Sequence, residues 1–100
     1  MIKVGEHVTL DIIGTKKVYE ASFFEDLVHK IAHKAKVTVL NITKYKFEPQ
    51  GFTLVALLAE SHISFHTYPE KRIISFDFYT CGTVAPSIAL DVIKKEIEML

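Results

Sequence analysis

The sequence predicts an α+β fold: a two-layer α/β sandwich in which an antiparallel sheet carries its helices on one face. The segments of regular hydrophobic period follow the order strand, helix, four strands, helix. Short turns rather than helical crossovers join most of the strands, and such hairpins produce antiparallel neighbours. The 100 residues, of which 49% are apolar and 24% charged, suffice for one core. We therefore expect a single domain over residues 1–100.

The N-terminal part of the chain predicts a strand followed by a helix. Apolar and polar residues alternate over residues 8–12, and the alternation ends at Gly14, as in a strand with one buried face. Ser22 is followed three residues later by Glu25, which is the spacing of a capping box at a helix start. Apolar residues then recur at helical spacing as far as Ala35. We expect a helix over residues 22–35.

The middle of the chain predicts two strands joined by a tight turn. Residues 37–47 are rich in β-branched and aromatic side chains, and residues 48–51, with the sequence EPQG, supply the turn. Residues 52–59 are apolar at nearly every position, a pattern typical of a strand that is covered on both faces. We expect this strand to be central and covered by the chain's own helices or by a second subunit.

The last part of the chain predicts a hairpin and a closing helix. Residues 63–67 and 74–78 alternate between apolar and polar side chains, and residues 68–71, with the sequence YPEK, separate the two runs. Pro86 suits the first turn of a helix, and an apolar stripe at helical spacing continues from there to Leu100. We expect a helix over residues 86–100.

Composition and charge exclude several classes of partner. Twelve basic and twelve acidic residues cancel, and no basic run is interleaved with aromatic residues, so we expect no nucleic-acid partner. The apolar run is too short to cross a membrane and the start lacks a signal-peptide pattern. The single cysteine, Cys81, excludes an intrachain disulfide and favours a reducing, cytoplasmic setting. A chain this short has a thin stability margin, which favours a homodimer or a larger homo-oligomer.

Residues 60–66 and Cys81 carry the candidate chemistry, and the residues alone leave several interpretations open. A metal site built from His62, His66 and Cys81 is disfavoured, because strand residues four apart lie roughly 13 Å from each other while ligands of one zinc ion lie within about 4 Å. A cysteine hydrolase that pairs Cys81 with His66 is a second interpretation. In the simplest interpretation Ser61 and its neighbours are hydrogen-bonded sheet residues, and Cys81 is a small buried side chain.

Two segments resemble a known enzyme family. Residues 60–70, ESHISFHTYPE, and residues 77–82, DFYTCG, closely resemble the processing and active-site segments of the short prokaryotic S-adenosylmethionine decarboxylases. The resemblance extends in the same order to residues 5–7, GEH, and to residues 47–49, FEP. It implies autocatalytic cleavage between Glu60 and Ser61, which yields a β chain of residues 1–60 and an α chain of residues 61–100.

The resemblance also implies the catalytic residues. Ser61 becomes a covalent pyruvoyl cofactor, which forms a Schiff base with the substrate amine. Cys81 is the acid that protonates the substrate carbon after carbon dioxide leaves. His66 suits the role of the base that removes the Ser61 α-proton during processing, because histidine is the side-chain type whose unperturbed pKa is nearest to neutral. We expect the hairpin after His66 to fold the strand that leads to Cys81 back beside the strand of His66.

By position in the same family, the small-molecule substrate is bound by Phe47, Glu70 and Thr53. The Phe47 ring and the Glu70 carboxylate contact the nucleoside, and Thr53 lies near the processing site. Tyr68 stands where the family usually has tryptophan, and related pyruvoyl enzymes act on arginine or ornithine. Those substrates need a carboxylate for a distal cation, and Glu70 or Asp77 suits either substrate scheme. An alternative of another class is a binding or regulatory homologue that does not process itself.

Overall fold

The computed structural model describes residues 2–81 and 84–100 and shows a five-stranded sheet with two helices. The helices and strands are, in chain order, β1 (Gly5–Ile13), α1 (Ala21–Ala35), β2 (Val39–Lys46), β3 (Phe52–Leu58), β4 (Ser61–Tyr68), β5 (Ile73–Cys81) and α2 (Ile88–Glu96). The strand order is β1-β5-β4-β3-β2, and every neighbouring pair is antiparallel. The predicted fold class is confirmed. In the part of the chain that the structure describes, no helix is both long enough and apolar enough to span a membrane.

One core lies between the sheet and the helices. Alternate residues of the inner strands point into it, because side chains in a strand change face at every step. The buried strand residues are Leu54, Ala56, Leu58, Ile63, Phe65, Ile74, Phe76 and Phe78. From α1, the fully buried Phe24 meets them, with its ring centroid 4.9 Å from that of Phe65 and 5.4 Å from that of Phe52. The aromatic ring of Phe24 therefore joins the helix layer to two strands.

Replacing Phe24 by alanine is expected to lower the free energy of unfolding by about 3–5 kcal/mol, because it leaves a cavity among rings that cannot fully collapse. Denaturant unfolding of the uncleaved Ser61→Ala chain measures the change for a single polypeptide. Leu40→Ala is the control, since Leu40 is 59% exposed and its removal should change stability by less than about 0.5 kcal/mol. Equal losses in the two variants would contradict this packing.

The opposite side of the sheet is not covered by either helix, and we call it the open face. It carries the other set of alternating side chains, which on β1, β3, β4 and β5 includes His7, Thr9, Asp11, Thr53, Val55, Leu57, His62, Ser64, His66, Ser75, Asp77, Tyr79 and Cys81. Val55 and Leu57 are 43% and 53% exposed there. The chain's own helices therefore cover only one face of β3, and cover of the other face by a second subunit stays a prediction. β3 is an inner strand between β4 and β2, and β4 is the middle strand.

The start of α1 differs from the prediction. The helix begins at Ala21, its N-cap residue is Glu20, and no side chain caps it. The capping box of Ser22 and Glu25 does not form, because Ser22 already lies inside the helix. The Glu25 carboxylate instead accepts a hydrogen bond from Lys44 Nζ on β2 at 3.0 Å. This ion pair ties the helix layer to the edge of the sheet.

The end of α2 also differs from the prediction, which extended the helix to Leu100. The helix ends at Glu96, and Ile97 has an extended backbone. Ile97 is still buried in the core, so its apolar side chain fits the helical pattern although its backbone has left the helix. Met99 then forms an isolated antiparallel bridge with Thr15. This bridge fastens the end of the chain beside the segment that follows β1.

Candidate active site

Glu60, Ser61 and Cys81 lie together at one end of the sheet, and we call them the processing half-site. The turn between β3 and β4 is so short that Ser61 is the first residue of β4. Glu60 has a φ of 61°, in the left-handed region that costs a non-glycine residue about 1 kcal/mol or more. Ser61 is only 8% exposed and its side chain belongs to the helix-covered face, whereas Cys81 lies on the open face. The Cys81 thiol donates a long hydrogen bond to Glu60 Oε2, with 3.9 Å between sulfur and oxygen. Gly82, the last residue of the matched motif, lies outside the described residues.

Phe47, Thr53, His66 and Glu70 lie together at the other end of the sheet, and we call them the binding half-site. They line one open cleft of about 290 Å³, together with Tyr68. Thr53 and His66 are direct partners on β3 and β4, and Thr53 Oγ1 is 2.9 Å from His66 Nδ1. This hydrogen bond orients the imidazole. The structure thus brings together all three residues that were predicted to bind the substrate. The prediction that Thr53 lies near the processing site is wrong within one chain, because Ser61 pairs with Leu58, five residues and roughly 16 Å further along β3.

Within one chain the two half-sites are far apart. Ser61 and His66 are five residues apart on the same strand, a separation of roughly 16 Å, and they point to opposite faces of the sheet. His66 pairs with Ser75, six residues before Cys81, so these two side chains are separated by roughly 20 Å. The hairpin after His66 forms as predicted, but it does not bring Cys81 beside His66. The cysteine hydrolase interpretation therefore has no dyad within one chain.

A third group of polar side chains, which no sequence motif marks as a group, lies on the open face between the half-sites. Asp77 Oδ2 accepts hydrogen bonds from His7 Nε2 at 2.6 Å and from His62 Nε2 at 3.2 Å. The Ser64 hydroxyl donates to the other carboxylate oxygen, Oδ1. Partial burial by itself raises the pKa of Asp77, but the hydrogen bonds from these three neighbours together outweigh it and hold that pKa below its usual value. Asp77 is therefore a fixed negative charge.

The structure does not bring together His62, His66 and Cys81, the set that the strand spacing disfavoured as a metal site. His62 faces His7 and Asp77, whereas His66 faces Thr53. Only knowledge of which strand lies beside β1 could have revealed the grouping around Asp77. The alternation in β1 does place His7 on the polar face, but the alternation carries no information about its neighbour.

Comparison with known proteins gives consistent results. A family model described as S-adenosylmethionine decarboxylase matches residues 6–99. An S-adenosylmethionine decarboxylase proenzyme 2 of Bacillus cereus is 43% identical over 96 residues, which cover 89% of this chain and 75% of that protein. The proenzyme of Symbiobacterium thermophilum is 39% identical over 93 residues, which cover 90% and 70% respectively. The crystal structure of the adenosylmethionine decarboxylase from Aquifex aeolicus superposes with a TM-score of 0.77 at 34% identity, over 93% of this chain and 80% of that one.

Fold and sequence relatives agree that the protein is a decarboxylase, an enzyme of the carboxy-lyase class. Within that class the chain belongs to the S-adenosylmethionine decarboxylase family, because the family model covers nearly its whole length. The resemblance inferred from residues 60–70 and 77–82 is confirmed.

Proposed function

We propose that the chain is a proenzyme that cleaves itself between Glu60 and Ser61 and then decarboxylates S-adenosylmethionine, for polyamine synthesis in the cytoplasm. The observation that carries the proposal is the arrangement at the processing half-site. A buried serine follows directly on a left-handed residue, whose side chain contacts the one thiol of the sequence. The family relationship supports the proposal as well, because the relatives are themselves named proenzymes.

The cleavage chemistry needs only the groups that are present and water. The Ser61 hydroxyl oxygen attacks the carbonyl carbon of Glu60, and the peptide bond between the two residues is replaced by an ester. Removal of the Ser61 α-proton by a base then expels the Glu60 carboxylate by β-elimination. Water replaces the freed nitrogen, which leaves as ammonia, so that a pyruvoyl group begins the new chain. The strain at Glu60 is relieved when the bond breaks, which favours this direction.

The residues of the processing half-site fit such a group. Ser61 is shielded from bulk water, and the Cys81 thiol is held at the same end of the sheet by its contact with Glu60. When present, the pyruvoyl group binds the substrate amine and withdraws the electron pair that the departing carbon dioxide leaves behind. We assign to Cys81 the delivery of the proton to the substrate carbon. A positioned acid of this kind typically accelerates a step by roughly 10²–10⁴.

The binding half-site offers groups that suit a nucleoside. The ring of Phe47 is half-exposed at the cleft and can stack on a planar base. The Glu70 carboxylate can accept hydrogen bonds from ribose hydroxyls. Thr53 holds His66 by the 2.9 Å contact, so that the imidazole has a defined direction at the mouth of the cleft.

A homodimer would unite the half-sites. Because they lie at opposite ends of one sheet, a two-fold axis through the open face would place the processing half-site of each copy against the binding half-site of its partner. The exposed Val55 and Leu57 lie between the two ends of that face and supply apolar area for the contact. Such a dimer has two composite sites, and each copy contributes Ser61 and Cys81 to one site and His66 to the other.

The test is a mass measurement combined with a substrate assay. Purified protein is expected to give two species on intact-mass analysis, residues 1–60 and residues 61–100 with a ketone at the new N-terminus. Carbon dioxide release from carboxyl-labelled S-adenosylmethionine, arginine and ornithine is then compared. Release from S-adenosylmethionine alone supports the full proposal. Release from arginine or ornithine alone would contradict the proposed substrate but not the proposed cleavage. A chain that stays uncleaved would contradict both proposals.

A further inference from the structure

Three metal-ligating side chains meet on the open face, on three adjacent strands. His7 on β1, His62 on β4 and Asp77 on β5 have ligating atoms that all lie within 4.8 Å of one another. Both Nε2 atoms approach the same oxygen, Asp77 Oδ2, at 2.6 Å and 3.2 Å. We propose that these three side chains form a binding site for one divalent transition metal ion of the zinc class.

The strand register explains why the three ligands converge. His7 and His62 both pair with Tyr79, one from each side of β5. Asp77 lies two residues away along β5 and therefore on the same face, where it reaches diagonally to both imidazoles. The ligands are thus held by hydrogen-bonded strands rather than by loops, which is the more rigid way to present a metal site.

The distances are close to those that an ion requires. Zinc binds nitrogen and oxygen at roughly 2.0–2.2 Å, so that two ligand atoms of a tetrahedral ion lie about 3.4 Å apart. Small side-chain rotations would open the 2.6 Å contact between His7 and Asp77 and admit the ion. Each imidazole would then offer an unprotonated Nε2 and carry its proton on Nδ1.

The carboxylate is oriented for this role. The Ser64 hydroxyl donates to Asp77 Oδ1, which leaves Oδ2 directed at the imidazoles. Hydrogen bonds of this type fix the ligands in known metal sites. The negative charge of Asp77, whose pKa is lowered, also compensates part of the charge of a bound cation.

The donor set indicates the class of metal. Two imidazoles and one carboxylate favour zinc, cobalt or nickel, whereas magnesium and calcium prefer sites built from oxygen atoms. In the single chain the side chains of His7 and His62 are 47% and 43% exposed. One coordination position is therefore free for water or for a ligand from the second copy of the proposed dimer.

Such a site would connect the two products of self-cleavage. His7 belongs to residues 1–60, whereas His62 and Asp77 belong to residues 61–100. A bound ion would therefore cross-link the two chains after the bond between Glu60 and Ser61 has broken. This consequence alone rests on the proposed cleavage, since the uncleaved Ser61→Ala chain carries the same three ligands.

Titration of EDTA-treated, dialysed protein with zinc chloride, followed by calorimetry, tests the proposal. We expect one zinc ion per chain with a dissociation constant of about 1 µM or lower, in both the wild-type and the Ser61→Ala protein. His7→Ala and Asp77→Asn should each weaken binding by at least about tenfold. His33→Ala removes an exposed imidazole from α1 and should leave binding unchanged.

Cobalt chloride provides a second readout, because a cobalt ion bound by two imidazoles gives visible absorption bands that His7→Ala should abolish. Asp77→Asn keeps the size of the side chain, so it serves if His7→Ala does not fold. The proposal is overturned if zinc shows no saturable binding up to about 100 µM. It is equally overturned if His7→Ala and Asp77→Asn bind zinc as tightly as His33→Ala does.

Discussion

The Ser61→Ala protein is expected to remain one chain of 100 residues and to release no carbon dioxide from S-adenosylmethionine. The methyl group of alanine has no oxygen to attack the Glu60 carbonyl, so neither the ester nor the ketone can form. The loss should be complete rather than partial, because no second hydroxyl stands at that peptide bond. Intact-mass analysis after prolonged incubation, together with the carbon dioxide assay, measures both effects on one preparation.

Ser22→Ala is the matched control for this substitution. Ser22 is an exposed serine on α1 and lies far from the processing half-site in sequence. Its replacement should leave both the cleavage and the decarboxylation at wild-type levels. Ser61→Ala itself should fold, because alanine is smaller than serine and tolerated at a buried strand position. Two fragments from the Ser61→Ala protein would show that another residue performs the cleavage.

The architecture was predictable from the sequence because the spacing of apolar residues along a helix or strand indicates which of its faces is buried. The alternation along β4 and β5 placed the side chains of Phe65 and Phe76 in the core correctly. For residues 52–59 the same rule predicts a cover on both faces but not its source, and Val55 and Leu57 are exposed in the single chain. Their hydrophobicity carries no information about whether the covering surface belongs to the same chain.

The motif indicated candidate functional residues but not the distances between them. The segment ESHISFH is contiguous in sequence, which suggests that Ser61 and His66 act on each other. A strand rises about 3.3 Å per residue, which argued against one metal ion shared by His62 and His66. For the same reason Ser61 and His66 are too far apart to meet within one strand. Sequence identifies the chemistry of such residues, whereas the strand geometry decides which of them can meet.

The cluster around Asp77 could not be predicted, because it depends on a contact between distant parts of the chain. β1 and β5 are neighbours in the sheet although most of the chain lies between them. Several positions for the first strand are compatible with hairpins among the other four. Only the observed position brings His7 to Asp77.

Mixing two inactive variants is expected to restore activity if the half-sites of two copies combine. His66→Ala and Cys81→Ala should each reduce decarboxylation by roughly 10²–10⁴, as expected for the loss of a positioned acid or base. In a heterodimer of the two, the Ser61 and Cys81 of the His66→Ala chain meet the intact His66 of the other chain. Differently tagged chains are co-expressed, and the doubly tagged heterodimer is isolated. One of its two sites is complete, so it should show about half the wild-type rate.

The cleavage pattern of the same heterodimer identifies the partner that each residue serves. If His66 acts on the Ser61 of the other copy, the His66→Ala chain is the one that is cleaved efficiently, because its partner supplies the base. If His66 acts within its own chain, the Cys81→Ala chain is cleaved instead and no decarboxylation returns. The two outcomes differ in mass as well as in rate, since the tags distinguish the fragments. Restored turnover together with cleavage of the His66→Ala chain would place the base of one copy at the serine of the other. Cleavage of the Cys81→Ala chain without turnover would contradict a composite site.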